Sequence, residues 1–405
     1  MSRLISFAEV RSKGWIVVGD DVYDITKFAA KHPGGSEIVH LRGSDATFPL
    51  INAHGIRGEL PSLPKKLCVG QIDPPTLRPV DRDLRELWAQ LRRRGMFEYK
   101  RWWFLLDLVR GLGFFVCGWL AMDTSPVLAF CALLVARLNV MWWVHDLCHD
   151  SVFKDRKMAR RWAEMMSILF VGTSVTDYQY VVHRKHHGFT NTIGADQAIE
   201  TGPVVWHELM RTRTADTFVP IQSWFWFVVV LPMTLPYFIY IGLRHCLRER
   251  AYWSLLGVIA RWTIALWLFS DHLFLFLVPS FVSAYVLGLT ASLNHFHRPM
   301  SEIADWNFAR SVTCVTQNLG ATNRISAWLV GGLSFHIEHH FFATMPRRNY
   351  RRIAPEIRAF CERNHLPYTS VSIPQALAAL WHKLRRPFDD NAPPSRPSMD
   401  LHRGG

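Results

Sequence analysis

Five apolar runs frame this 405-residue chain: Trp102 to Ala121, Pro126 to Val144, Ile221 to Leu243, Trp253 to Phe269 and Leu273 to Leu293. A helix needs roughly 20 apolar residues to cross a bilayer, so runs of this length read as candidate spans. The loop Met122-Asp-Thr-Ser125 joining the first two contains no Lys or Arg, whereas the flanks Arg92 to Arg101 and Lys154 to Arg161 are strongly basic. Basic flanks stay in the cytosol, so these runs form a hairpin of spans with both ends on that side. Asp107, Arg110 and Arg137 lie inside the spans and are expected to face protein or pair with one another, because bare charge in lipid is costly. Ile221 to Leu243 carries Pro232 and Pro236, which disfavour a straight helix. That run is expected to lie in the interface, with the last two runs as spans joined at Ser270-Asp271, giving about four transmembrane helices. Ahead of the first run the pattern shortens. Trp15 to Val18 and Val22 to Ile25 flank Gly19-Asp20-Asp21 and predict strand, turn, strand. Pro74-Pro75 through Pro79 predicts an extended linker, and Asp81 to Arg94 a polar helix approaching the membrane.

Composition sharpens this picture. Hydrophobic residues make up 49% and charged residues 20%, a mixture that suits a polytopic membrane protein with large polar parts. The net charge of +13 could suggest nucleic acid, but the basic residues cluster beside apolar segments, at Arg92 to Arg94, Lys154 to Arg161, Arg244 to Arg250 and Arg347 to Arg352. Such clusters orient a membrane protein and meet anionic lipid, so no nucleic-acid partner is expected. The seven cysteines are scattered without a Cys-x-x-Cys pair, which argues against a disulfide framework or zinc ribbon. The first 13 residues lack an apolar core, so no signal peptide is expected. The segment after Pro387, rich in Pro, Asp, Asn and Ser, reads as disordered.

Three histidine clusters carry the chemistry: His145-Asp-Leu-Cys-His149, His183-Arg-Lys-His186-His187 and His336-Ile-Glu-His339-His340. Residues three and four apart share a helix face, so each cluster aims its imidazoles at one spot. Imidazole is a good iron ligand. One such cluster alone could be a set of solvated or core histidines; three beside long apolar runs point to a histidine-rich metal centre at a membrane. If all three meet at one centre they lie on one side of the membrane, and an even number of crossings separates the second from the third.

Residues 1–73 read as a soluble domain. Asp24-Ile-Thr-Lys-Phe28, His32-Pro33-Gly34-Gly35 and Gly43-Ser-Asp-Ala-Thr47 resemble cytochrome b5 across nearly the whole segment. The resemblance implies an α+β fold and a haem b held between two histidines, which carries electrons because no iron position stays open. By the motif His32 is one axial ligand and His54 the other. Phe48-Pro49 follows Thr47 at once and leaves the loop a residue short against the family, so His40 stands as the alternative second ligand. Residues 74–100 are then linker and approach helix, residues 101–386 the membrane domain and residues 387–405 a tail.

The three clusters, in this order around paired spans, resemble the membrane fatty acid desaturases, as do Phe335-His-Ile-Glu-His-His-Phe-Phe342 and Thr344-Met-Pro-Arg-Arg-Asn349. The fused haem domain is similar to that of the front-end branch, although His336 stands where that branch usually has Gln. The resemblance implies an all-α membrane domain with a cytosolic di-iron cap held by His145, His149, His183, His186, His187, His336, His339 and His340. His295, after the last span, matches a further ligand position, with Asn294 beside it able to hold a water, while His297 points elsewhere. Ligating histidines usually give their second N–H to a carboxylate or carbonyl, and Asp146, Asp150, Asp196 and Glu338 are candidates. The implied activity is O2-dependent desaturation of a lipid acyl chain in the endoplasmic reticulum membrane, with electrons from NADH through cytochrome b5 reductase and the fused haem. Trp142, Trp143, Tyr178 and Tyr180 are candidate tunnel aromatics or plain core. Two other outcomes stay open: a fatty acid or sphingolipid hydroxylase on the same centre, or a non-catalytic haem carrier.

Overall fold

The computed structural model describes residues 3–32, 36–175, 183–192, 195–196, 198, 213–300, 307–320 and 324–387. Pro33-Gly34-Gly35, Tyr178, Tyr180 and the tail after Pro387 lie outside the described residues. Near the N-terminus, β1 (Leu4–Ile5), β2 (Ile16–Val18), β3 (Asp21–Tyr23) and β4 (Cys68–Ile72) form one sheet in the order β1-β4-β3-β2. Helix α1 (Phe7–Lys13) is capped by Ser6, whose side chain accepts from the Glu9 N–H. The predicted hairpin is β2 against β3, turned at Gly19 with φ +61, a backbone conformation that glycine adopts without strain. Helix α2 (Thr47–His54) starts at Thr47, so Pro49 falls in its first turn, where a missing N–H breaks no helical bond. His54 ends α2.

The proline-rich stretch is not the extended linker that its composition predicts. Pro74–Thr76 closes a short 3-10 turn, with Thr76 Oγ1 donating to Asp73 O and accepting from Phe7 N–H. Helix α3 (Pro79–Arg93) follows directly and packs as a strut, burying Leu84, Leu87 and Leu91. These join one continuous core containing Ile16, Phe48 and Ile51 of the N-terminal unit and Phe308, Phe341, Phe342, Ile353 and Phe360 of the C-terminal half. The Arg85 guanidinium ties α3 to Asp45 Oδ2 at 2.8 Å and Gly19 O at 2.6 Å. Asn307 Nδ2 donates to the buried Asp81 at 2.8 Å.

Helices α4 (Arg101–Leu120) and α5 (Pro126–Cys148) form the predicted hairpin. A 23-residue helix such as α5 is about 35 Å long, enough to cross a bilayer. Trp103, Asp107, Gly111 and Gly118 make the buried stripe of α4. A Cβ on Gly111 would come within 2.8 Å of Val140 and one on Gly118 within 2.7 Å of Leu133, so glycine permits the close approach of the two helices. Asp107 is 1% exposed and is paired with Arg348, and Arg137 donates to Phe170 O at 2.7 Å. Arg110 departs from expectation: it is exposed, because it sits off the 103–107–111 stripe. Its long stem can carry the charge toward the interface.

Beyond α6 (Arg156–Met166) and α7 (Arg184–Phe189), the chain forms α8 (Arg213–Phe225), α9 (Thr234–Arg248), α10 (Tyr252–Leu268) and α11 (Leu273–His295). Among the described residues three helices are long and apolar enough to cross a membrane, α4, α5 and the stretch Ser270–His295, and a fourth candidate is the pair Val219–Val230 and Thr234–Arg248, bent by 66°. The bend falls around Pro232, as the prolines predict. Helix α10, expected as a span, is apolar but has only 17 residues, so by length the candidate fourth span is instead the bent pair that the sequence assigns to the interface. Its Trp253, Leu256, Ile259, Ile264 and Trp267 are exposed, a face suited to lipid. The cap is completed by α12 (Phe308–Val315), β5 (Asn318–Leu319), α13 (Arg324–Leu329), α14 (His336–Phe341), α15 (Tyr350–Arg363), β6 (Ser370–Val371) and α16 (Ile373–Arg385). Strand β5 pairs with β6 in parallel.

Candidate metal centre and haem pair

Each histidine segment sits at a helix end that the local sequence creates. Helix α5 ends at Cys148, with His145 in its last turn and His149 as its C-cap, because Asp150 takes φ +52. The Asp150 N–H then bonds Leu147 O at 3.2 Å and the Ser151 N–H bonds Asp146 O at 3.3 Å, a Schellman closure with aspartate in the place glycine usually fills. His183 precedes α7, which carries His186 and His187 on one turn, and α14 carries His336, His339 and His340. His295 is the last residue of α11.

These nine histidines converge. The ligand atoms of His145, His149, His183 and His339 all lie within 4.8 Å of one another, as do those of His186, His295 and His340. His336 joins the second group, its Nε2 lying 2.7 Å from His295 Nε2 and 3.1 Å from His340 Nε2. In the first group, His183 Nε2 is 2.8 Å from His149 Nε2 and 3.3 Å from His145 Nε2. Two nitrogens each ~2.1 Å from one metal ion at octahedral or tetrahedral angles lie roughly 3.0–3.4 Å apart; the 3.1 and 3.3 Å edges fall in that range and the 2.7 and 2.8 Å edges fall just short of it. His187 lies between the groups, its ring 4.5 Å from that of His339 and 4.3 Å from that of His340. Among the described residues neither of its buried nitrogens has a hydrogen-bond partner, nor does His339 Nε2. Burial, and then the neighbouring imidazoles, push His149, His183, His187, His336, His339 and His340 well below the ordinary pKa of 6.5. They are therefore neutral with a free lone pair at physiological pH, the form in which histidine binds a metal.

The partners that orient the rings differ from those the sequence suggested. Asp196 serves as expected, 2.8 Å from His186 Nδ1, and its own charge is held by the N–H groups of Asn191 and Ala198. Asp150 is spent on Arg156 and Arg184; Asp146 pairs with Arg347 through Oδ2 and keeps Oδ1 4.0 Å from His145 Nδ1, beyond hydrogen-bond reach. Glu338 faces away from the centre toward Asn318 and Tyr368, and burial raises its pKa. Their places are taken by residues that sequence reasoning missed: Tyr350 Oη is 2.9 Å from His339 Nδ1, Thr190 Oγ1 is 3.0 Å from His340 Nδ1, and Val315 O is 3.2 Å from His295 Nδ1. Asn294 is fully buried beside His295 with both carboxamide atoms unpartnered among the described residues. His297 belongs to neither histidine group. Trp142 and Trp143 are packed into cores, Trp142 donating to Leu329 O at 3.0 Å.

In the N-terminal unit His32 and His54 face each other, with ring centroids 5.9 Å apart. Two imidazoles on opposite sides of one iron, each bond ~2 Å, place their ring centres roughly 6 Å apart, so the pair fits a bis-histidine haem. His54 is open to solvent on one edge, yet crowding by the chain, and then the His32 ring, push its pKa down to about 4. His40 lies elsewhere, its ring 5.9 Å from Phe189.

A small α+β unit with a facing histidine pair, joined to a multi-pass helical domain with clustered imidazoles, defines a membrane oxidoreductase with a haem module. Residues 118–372 match the fatty acid desaturase family and residues 5–73 match the cytochrome b5-like heme/steroid binding domain. The chain belongs to the fatty acid desaturase family and carries a fused cytochrome b5 domain. It is 25% identical to the fatty acid desaturase 2-like protein FADS2B of Mus musculus, across 92% of this chain and 82% of that one. Identity to a Delta(8)-fatty-acid desaturase of Euglena gracilis is 26%, across 86% and 89%. Identity to fatty acid desaturase 3 of Bos taurus is also 26%, across 92% and 89%. Haem and iron are thus the cofactors of this kind of protein, and its substrates are lipid acyl chains.

Proposed function

We propose that this protein inserts a cis double bond into a lipid acyl chain on the carboxyl side of an existing one, using O2 and electrons delivered through its own haem domain. The observation that carries the reading is the convergence of nine histidines, mostly buried, in two adjoining groups, with the helix of a haem-ligating pair packed against them. In this reading His145, His149, His183, His186, His187, His295, His336, His339 and His340 hold two irons, and His32 and His54 hold haem b. Bound iron supplies the oxygen-activating chemistry that removal of hydrogen from an unactivated methylene needs and no side chain can provide. The protein's part is to keep the imidazoles neutral by burial, to fix their rings through Asp196, Tyr350, Thr190 and Val315 O, and to exclude bulk water. Asn294 offers an unpaired carboxamide to a water at the centre. The stoichiometry would balance with two hydrogens from the acyl chain and two electrons supplied through the haem domain that His32 and His54 would complete. With two protons from solvent, O2 becomes two waters.

The relatives named Delta(8)-fatty-acid desaturases support placement of the bond near the carboxyl end. The fused haem domain supports the same branch, and NADH through a cytochrome b5 reductase is the matching electron source. The basic flanks support a cytosolic side for the haem domain and the histidine groups, and the reading takes the membrane to be that of the endoplasmic reticulum. The test is lipid analysis by mass spectrometry of host membranes expressing the chain and supplied with saturated, mono- and polyunsaturated fatty acids. A new double bond on the carboxyl side of an existing one is the expected product, lost in His339→Ala/His340→Ala while the haem spectrum is unchanged. A hydroxylated lipid, or activity surviving that double substitution, would overturn the reading.

A further inference from the structure

The helix that ends in His54 touches the second and third histidine segments and is tied to the first through two arginines. At the C-terminus of α2, the carbonyl of Ala53 accepts from Arg184 at 3.0 Å, and those of His54 and Gly55 accept from Arg156 at 2.6 and 3.3 Å. Guanidinium groups complement the negative end of a helix. Both arginines are anchored on Asp150, next to His149, and Arg184 also donates to Cys148 O at 2.8 Å. The contact with the third segment is made by Asn52, which is 2% exposed. Its Nδ2 donates to His340 O at 2.8 Å, and its Oδ1 accepts from the Ala343 N–H at 3.1 Å. Just past α2, the Gly58 N–H donates to Thr344 Oγ1 at 3.0 Å.

We propose that Asn52 is the positioning residue that couples the haem helix to the metal centre. This rests on the reading that electrons pass from haem to iron. A carboxamide clamped at both ends fixes α2 against the loop that closes the third segment. It also gives the shortest bonded route between the two sites: from His54 back through Ala53 to Asn52, then across one hydrogen bond to the backbone of His340. The route by Arg156 crosses two hydrogen bonds through Asp150, and the route by Arg184 runs the length of an arginine side chain. Each transfer oxidises the haem by one electron and reduces the metal centre by one. A buried amide is suited to this task, since it adds no charge that would shift the potential of either site.

The experiment uses the full-length protein, loaded with haem and iron in detergent, and the variant Asn52→Leu, which keeps the branched shape and the number of side-chain heavy atoms but removes both hydrogen bonds. The haem is reduced by NADH and reductase without oxygen, then mixed with O2 and acyl substrate while its absorbance is followed. Haem spectrum, haem reduction rate and iron content are expected to match the parent. Haem reoxidation is expected to slow by about tenfold, the factor for two buried hydrogen bonds lost from the docked state. Hydrogen exchange across 340–345 is expected to rise in the metal-free protein, a readout independent of turnover. Leu50→Met, on the same helix but outside this contact, is expected to leave both readouts unchanged. If Asn52→Leu does not hold haem, Asn52→Ser is read in the same assays. Reoxidation at the parent rate in the variant would overturn the role of Asn52. If iron removal leaves reoxidation of the parent itself unchanged, the reading of electron delivery fails instead.

Discussion

His186 Nδ1 lies 2.8 Å from Asp196 Oδ2, and the same carboxylate oxygen accepts the Asn191 N–H at 2.9 Å. Asp196 is fully buried, and among the described residues its carboxylate is met by these donors and by the Ala198 N–H. With Nδ1 fixed as the donor, Nε2 keeps its lone pair and points at His295 Nε2, 3.3 Å away. Asp196→Ala is therefore expected to lower iron affinity by about 10–100-fold, the usual effect of removing a carboxylate behind a ligating histidine. Iron content by mass spectrometry after dialysis against a graded chelator checks this, with the haem spectrum as the control.

Tyr350 makes the equivalent contact for His339 without charge. Its hydroxyl accepts from His339 Nδ1 at 2.9 Å and donates to Met345 O at 3.0 Å, so ring, phenol and backbone form a chain. Tyr350→Phe leaves both ends buried and unpaired, a loss of about 1–3 kcal/mol for an unsatisfied polar group. The expected result is a lowered melting temperature and reduced turnover, with smaller iron loss than in Asp196→Ala. Thermal unfolding and iron content measured on the same preparations separate the two effects.

The residues that sequence reasoning found and missed differ in how local their signals are. The histidine groups were legible because i, i+3, i+4 spacing is a property of one helical turn, and the break near Pro232 because proline acts on its own helix. Asn52 and His340 are 288 positions apart, and no local pattern marks an asparagine as a clamp. Tyr350 and Thr190 were missed because a hydroxyl behind an imidazole has no required spacing. The prolines at 74 and 75 misled because Thr76 closes a turn there through a side-chain bond to Asp73 O. Arg110 misled because charge within an apolar run does not say which face of the helix it occupies.

Acid should destabilise the metal-free protein in a defined direction. In the folded state six histidines, His149, His183, His187, His336, His339 and His340, have pKa values depressed well below 6.5 by burial. The unfolded chain binds protons at these positions below about pH 6.5 and the folded chain does not, so stability is fully present above that pH and falls as pH drops through it. Each histidine contributes up to about 1.4 kcal/mol per pH unit. The melting temperature of the iron-free protein is expected to hold steady from pH 8 to 7 and then fall steeply toward pH 5. A flat profile across that range would show that the rings are already protonated or exposed in solution.

A buried ion pair ties the first span to the segment after the third histidine group. Asp107 is 1% exposed within α4, and its carboxylate meets Arg348 and the Tyr99 hydroxyl, the latter at 3.3 Å. Asn139 of α5 donates to the backbone carbonyl of the same residue at 2.9 Å. Removing Arg348 alone leaves a carboxylate in a place that cannot solvate it, an expected loss of about 3–5 kcal/mol. Replacing both partners by apolar groups removes the attraction and the desolvation penalty together, so Asp107→Leu/Arg348→Met is expected to recover most of that loss. Arg348→Met alone should show early unfolding in a fluorescence melt in detergent, with the double variant close to the parent. Equal destabilisation in the single and double variants would mean that the pair fixes the geometry of the cap and that charge burial is the minor part.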